Sequence, residues 1–66
     1  MKLKAEIYGP DKYGGHYGRI TCDVIAYYPK KGSVNVNMPC NNEKIGDFTI
    51  TVSFPKESFR LIVEDA

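Results

Sequence analysis

Apolar and polar residues alternate with a period of two along most of the chain, the pattern of strands that bury one face. Leu3, Ala5 and Ile7 alternate with Lys2, Lys4, Glu6 and Tyr8. Gly9-Pro10-Asp11 closes this first strand, because Pro lacks a ladder N–H and Gly and Asp accept turn conformations. Ile20, Cys22, Val24 and Ala26 then alternate with Arg19, Thr21, Asp23 and Ile25 in a long second strand. Ile25 and Tyr27 bring apolar character to its other face, the mark of a strand that bends within a small barrel. Simple alternation puts Tyr28 inward and Tyr27 outward. Pro29-Lys30-Lys31-Gly32 predicts a tight turn. Val34, Val36 and Met38 define a third strand that Pro39 is expected to stop, and residues 40–47 read as a longer hairpin loop. Phe48, Ile50, Val52 and Phe54 alternate with Thr49, Thr51 and Ser53 in the cleanest strand of all. Pro55-Lys56-Glu57-Ser58 suits one 3₁₀ turn, and Phe59, Leu61 and Val63 form a short last strand before Glu64-Asp65-Ala66.

No segment keeps a helical period, and there is no repeat, linker or low-complexity tract. The 66 residues read as one all-β domain, 1–66. A domain of this size hides only about 60% of the surface of its unfolded chain, which leaves little room for a deep catalytic cleft. Five short strands are too few for a sandwich, whereas curling into a barrel removes exposed strand edges. The expected architecture is a five-stranded barrel with one 3₁₀ turn before the last strand.

Composition divides the chain in two. All five tyrosines fall in residues 1–31 and all three phenylalanines in residues 32–66. Tyr has an apolar body and a polar tip and suits a half-wet surface, whereas Phe has only a body to bury. The first half carries a charge of +3 and the second −2, so a net charge of +1 conceals a basic, tyrosine-rich half. Such a half suits an anionic partner, and reads equally as a solvated mixed-charge surface. No apolar run is long enough to span a bilayer and no signal-peptide core follows the basic start, so a cytoplasmic protein with reduced cysteines is expected.

Catalytic signatures are missing. Gly14, Gly15 and Gly18 are not followed by Gly-Lys-Ser/Thr, so the loop is not a Walker loop and its glycines serve backbone bends. His16 stands without a motif that gathers a nucleophile and an orienting carboxylate. Cys22 and Cys40 with His16 fall short of a structural zinc set; Cys22 reads as a core residue, Cys40 as a loop thiol, and their pairing stays open. No enzyme activity, metal or cofactor is expected.

The binding candidate is Tyr27-Tyr28-Pro29-Lys30-Lys31, where rings beside cations suit base stacking and phosphate neutralisation. Lys12, Tyr13, His16, Tyr17 and Arg19 of the first loop are expected to border the same face. The expected contact set is therefore Lys12, Tyr13, His16, Tyr17, Arg19, Tyr27, Lys30 and Lys31. The alternative is a solvated turn with one tyrosine packed inward.

The order strand, long loop, long bent strand, turn, strand, hairpin, strand, 3₁₀ turn, short strand resembles an SH3-like barrel, and Phe54-Pro55-Lys56-Glu57-Ser58-Phe59-Arg60-Leu61-Ile62 resembles its closing segment. Within that fold the N-terminal half resembles a KOW motif, through Gly9-Pro10-Asp11-Lys12, Gly15-His16-Tyr17-Gly18-Arg19-Ile20 and Pro29-Lys30-Lys31-Gly32. Tyr13-Gly14 interrupts the motif's spacing, and the Trp of proline-reading SH3 grooves is missing. The resemblance implies a non-enzymatic binding module that contacts RNA or a nucleoprotein surface. The alternative is a protein–protein module: a small regulator, an accessory subunit or a phage-encoded inhibitor. Oligomeric state is left open.

Overall fold

A computed structural model describes residues 2–64. Met1, Asp65 and Ala66, assigned above to the basic start and acidic close of the chain, lie outside the described residues. The strands are β1 (Lys2–Ile7), β2 (Ile20–Tyr28), β3 (Ser33–Asn42), β4 (Gly46–Phe54) and β5 (Phe59–Glu64), with a 3₁₀ turn (Lys56–Ser58) before β5. They form one antiparallel sheet in the order β4-β3-β2-β1-β5. The all-β expectation and the position of the 3₁₀ turn hold. The ladder is open, however: among the described residues no pairing joins β4 to β5.

One apolar cluster draws on every strand: Ala5 and Ile7, Cys22, Val34, Val36 and Met38, Val52 and Phe54, and Phe59. Among the described residues no α-helix or second sheet covers it, so the sheet curls over its own apolar face. The 3₁₀ turn fastens the first strand to the last, with the Tyr8 and Gly9 N–H groups donating to the Ser58 carbonyl at 2.8 and 3.1 Å. The Tyr8 hydroxyl donates to the Phe59 carbonyl at 2.9 Å.

The structure corrects three local expectations. β2 carries a bulge at Ile25: Val24 pairs with Val36, but Ala26 pairs with Asn35. The extra residue reverses the alternation, so Tyr27 falls opposite Val34 and Tyr28 opposite Ser33. Tyr28 does not pack inward, and both rings are exposed. Second, Pro39 does not end β3, which runs on to Asn42. Pairing of β2 with β3 ends at Asp23 opposite Asn37, so Pro39 stands where no β2 strand needs its missing N–H. Third, residues 40–47 are mostly strand. Asn42 pairs with Gly46, leaving a three-residue turn, and Gly46 takes the left-handed conformation (φ 78°) that such a turn requires.

The outer part of the β3–β4 hairpin is therefore a ribbon that projects from the body. Gly46 through Thr51 are all solvent-exposed, whereas Val52 and Phe54 are buried. The radius of gyration, 12.0 Å, exceeds the roughly 11 Å of a compact chain of this length. Phe48 and Ile50 continue the row of Val52 and Phe54 but are 37% and 36% exposed. Phe48 has only a body to bury yet stays exposed, because nothing in the described structure reaches over the ribbon.

Candidate binding surface

The first loop is organised around one carboxylate. Asp11 is buried, and its Oδ1 accepts the Tyr13 and Gly15 N–H groups, each at 2.8 Å. Its Oδ2 accepts the Tyr17 hydroxyl at 3.0 Å, and its own N–H donates to the Gly15 carbonyl at 2.9 Å. The Gly15 N–H, followed by those of Tyr13, the Tyr17 hydroxyl and Gly14, holds the Asp11 carboxyl below its ordinary pKa, against a desolvation that pushes it up. Accepting the same bond and facing the same charge, Asp11 in turn pushes the Tyr17 phenol up. Turn chemistry alone marks Asp11 as a strand-ending residue, whereas the fold makes it the acceptor that organises the loop. An Asp followed by Gly14-Gly15 is the available signal, since glycines let successive N–H groups converge on one oxygen.

The clasp fixes Tyr17 as a structural ring. It meets Phe54 edge-on, with centroids 6.0 Å apart and planes at 77°. The Lys12 N–H donates to the Ser53 carbonyl at 3.2 Å, laying the loop along the end of β4. Phe54 pairs with Val34, and Val34 with Tyr27. Tyr17 and Tyr27 thus border one end of the core from opposite sides of the Val34–Phe54 pair.

At that end, Tyr27, Tyr28, Pro29, Lys30 and Lys31 line a shallow hollow. Its turn is held by the Lys31 and Gly32 N–H groups on the Tyr28 carbonyl, at 3.2 and 2.8 Å. The Lys31 ammonium stands 5.8 Å from the Tyr28 ring centroid, within cation–π range. Gly32 (φ 68°) lies so near the 3₁₀ turn that a Cβ there would come within 3.1 Å of the Lys56 side chain. Lys56, which sequence patterning did not single out, thereby joins the turn; only the fold makes it a neighbour.

Other expected contact residues are dispersed. Tyr13 is 90% exposed on the outside of the first loop, and Lys12 and His16 are exposed beside it. Arg19 lies in a separate notch with Glu6, Tyr8 and Arg60. It precedes β2 whereas Tyr27 lies near its end, roughly 25 Å along an extended strand.

Charge pairing divides the cations in the same way. Lys2 and Lys4 reach Asp23, both at 3.8 Å, Lys4 reaches Glu64 at 3.7 Å, and Arg60 donates to Glu6 at 2.9 Å. Among the described residues, Lys12, Arg19, Lys30, Lys31, Lys44 and Lys56 have no such partner. The basic half is thus partly self-neutralised along β1; of its remaining cations Lys30 and Lys31 line the aromatic hollow, whereas Lys12 and Arg19 lie elsewhere.

Both cysteines are free. Cys22 is buried against Met38, with sulfurs 3.8 Å apart, and burial followed by the Asp23 charge pushes its thiol up. Cys40 lies on β3 rather than in a loop. Among the described residues no three His, Cys, Asp or Glu side chains converge on a metal site, and no helix is long and apolar enough to cross a membrane. Comparison with protein-family models, curated proteins and solved structures gives no match for this chain.

Proposed function

We propose that this protein is a non-enzymatic, cytoplasmic binding module whose turn end docks on single-stranded RNA, free or at a nucleoprotein surface. The observation that carries this reading is the hollow of Tyr27, Tyr28 and Pro29 rimmed by Lys30 and Lys31, cations that no carboxylate in the described structure neutralises. A ring beside free ammonium groups suits an unstacked base with its phosphate, an interaction of about 1–3 kcal/mol per stacked base. A shallow hollow of this kind favours an unpaired base over the edges of a duplex. Lys56, whose side chain lies against Gly32 of the same turn, extends the cationic rim.

The strand order and the 3₁₀ turn before β5 support an SH3-like barrel, and the first loop with the 29–32 turn supports its KOW-like variant. Fluorescence anisotropy with a labelled single-stranded RNA oligomer at two salt concentrations tests the proposal. Binding is expected to weaken as salt rises, because each phosphate contact releases counterions. K30E/K31E is expected to weaken it without unfolding the sheet. Absence of salt-sensitive binding would remove the reading and leave the protein–protein alternative, which the exposed rings of Tyr13, Tyr27 and Tyr28 also suit.

A further inference from the structure

We propose that the outer edge of β4 is a homodimer seam, on which a second copy of this chain adds its own β4 in two-fold antiparallel pairing. β4 ends the sheet, and its outward side has no strand partner among the described residues. The bond from Lys12 to the Ser53 carbonyl fixes the phase of that edge, because it turns the Ser53 backbone away from β3. Strand backbones alternate with a period of two, so Asp47, Thr49 and Thr51 also aim their N–H and C=O groups outward. Pro39 agrees with this phase: it lies opposite Thr49, where no ladder bond crosses between β3 and β4 and no N–H is needed. The first loop occupies Ser53, which leaves residues 47–51 free.

Exposed edges are ordinarily blunted by short length, lysine, proline or a bulge. β4 has none of these devices. It is nine residues long, its register with β3 is unbroken, and Asp47 is its only charged residue. The opposite edge, β5, is six residues long and carries Arg60 and Glu64.

Self-complementarity selects a second copy as the occupant. With Thr49 opposite its own copy, Asp47 falls opposite Thr51 and Phe48 opposite Ile50. Every outward backbone group then meets an outward partner. The Asp47 carboxylate faces a threonine hydroxyl rather than another carboxylate, so no like charges meet. On the other face, the exposed Phe48 and Ile50 rows cover one another across the two-fold axis. One pairing therefore satisfies the backbone edge and the uncovered apolar row together.

Sedimentation across a concentration series tests the seam. The 7.4 kDa chain is expected to move toward twice that mass as concentration rises. Thr49→Pro removes the central outward N–H and no bond within the chain, so the doubled mass is expected to be lost while the circular dichroism of the sheet persists. In a Cys40→Ser background, Thr49→Cys is expected to cross-link to its own copy under mild oxidation. Thr51→Cys in the same background is expected to stay uncross-linked, because Asp47 lies opposite. A monomer at every concentration overturns the proposal, as does cross-linking at position 51 equal to that at 49. Should Thr49→Pro disturb the fold, the cysteine pair decides alone; a dimer that survives a folded Thr49→Pro variant also overturns it.

Discussion

The turn end, where β2 passes into β3, and the hairpin arm, built on β3 and β4, expose opposite chemistries. The turn end sets Tyr27, Tyr28 and Pro29 among Lys30, Lys31 and Lys56, above the buried Val34–Phe54 pair. The arm exposes Phe48, Ile50 and Ile45 beside threonines and an Asn41–Asp47 hydrogen bond of 2.6 Å. Free cations act at a distance and are weakened by salt screening, whereas an apolar row and a strand edge act only on contact and are not screened by it. A small sheet can present both because its core closes at only one end. Curling covers Val52 and Phe54; it does not reach the part of the hairpin that has left β2 behind.

The largest expected break in this comparison comes from the two phenylalanines of β4. Phe54→Ala removes a fully buried ring and is expected to cost about 3–5 kcal/mol, enough to unfold much of so small a domain. Phe48→Ala, on the same row, is expected to cost less than about 1 kcal/mol at concentrations low enough to keep the chain monomeric. Urea denaturation measures both, and equal losses would mean that the arm is packed after all. The second contrast concerns charge. K30E/K31E is expected to weaken single-stranded RNA binding roughly tenfold or more, whereas Ile45→Ser on the arm leaves it unchanged. Anisotropy at constant salt would show whether the two regions separate in this way.

Acid is expected to act on the loop that borders the turn end and to spare the arm. The Asp11 carboxyl is held below its unfolded value of about 3.9, so its contribution is complete above that value. It is lost as pH falls through the lower, folded pKa. Amide resonances of Tyr13 and Gly15 should therefore shift only below about pH 4, and Asp11→Asn should abolish the transition. Movement of the Phe48 or Thr49 amides over the same range would contradict the separation. The smallest effect is expected at Arg60, whose pair with Glu6 is exposed. Arg60→Ala should cost about 0.2–1 kcal/mol and leave RNA binding intact, since that charge is already partnered.

The five strands were legible because a one-sided sheet writes its buried face into the chain as an alternation. Leu3 through Ile7, Val34 through Met38 and Val52 through Phe54 needed nothing else, and the Pro29–Gly32 turn followed from turn chemistry. The reading broke where a local rule met a nonlocal condition. Pro39 stops a strand only if a neighbour needs its N–H, and whether β2 extends that far is not written near Pro39. The bulge at Ile25 left a trace, apolar residues on both faces, but which of Tyr27 and Tyr28 it turned toward Val34 depends on the register with β3. Of the expected contact residues, Tyr27, Lys30 and Lys31 share one hollow, Tyr17 is spent on Asp11 and Phe54, and Arg19 stands apart.

Periodicity, turn residues and the tyrosine–lysine bias are local properties, and they were enough to specify an all-β chain with a basic, aromatic first half. Where the sheet stops curling, which cations meet a carboxylate, and which edge is left unpaired were decided by strands that are distant in sequence. Those outcomes depend on register and on reach across the sheet, and neither is encoded at any single position.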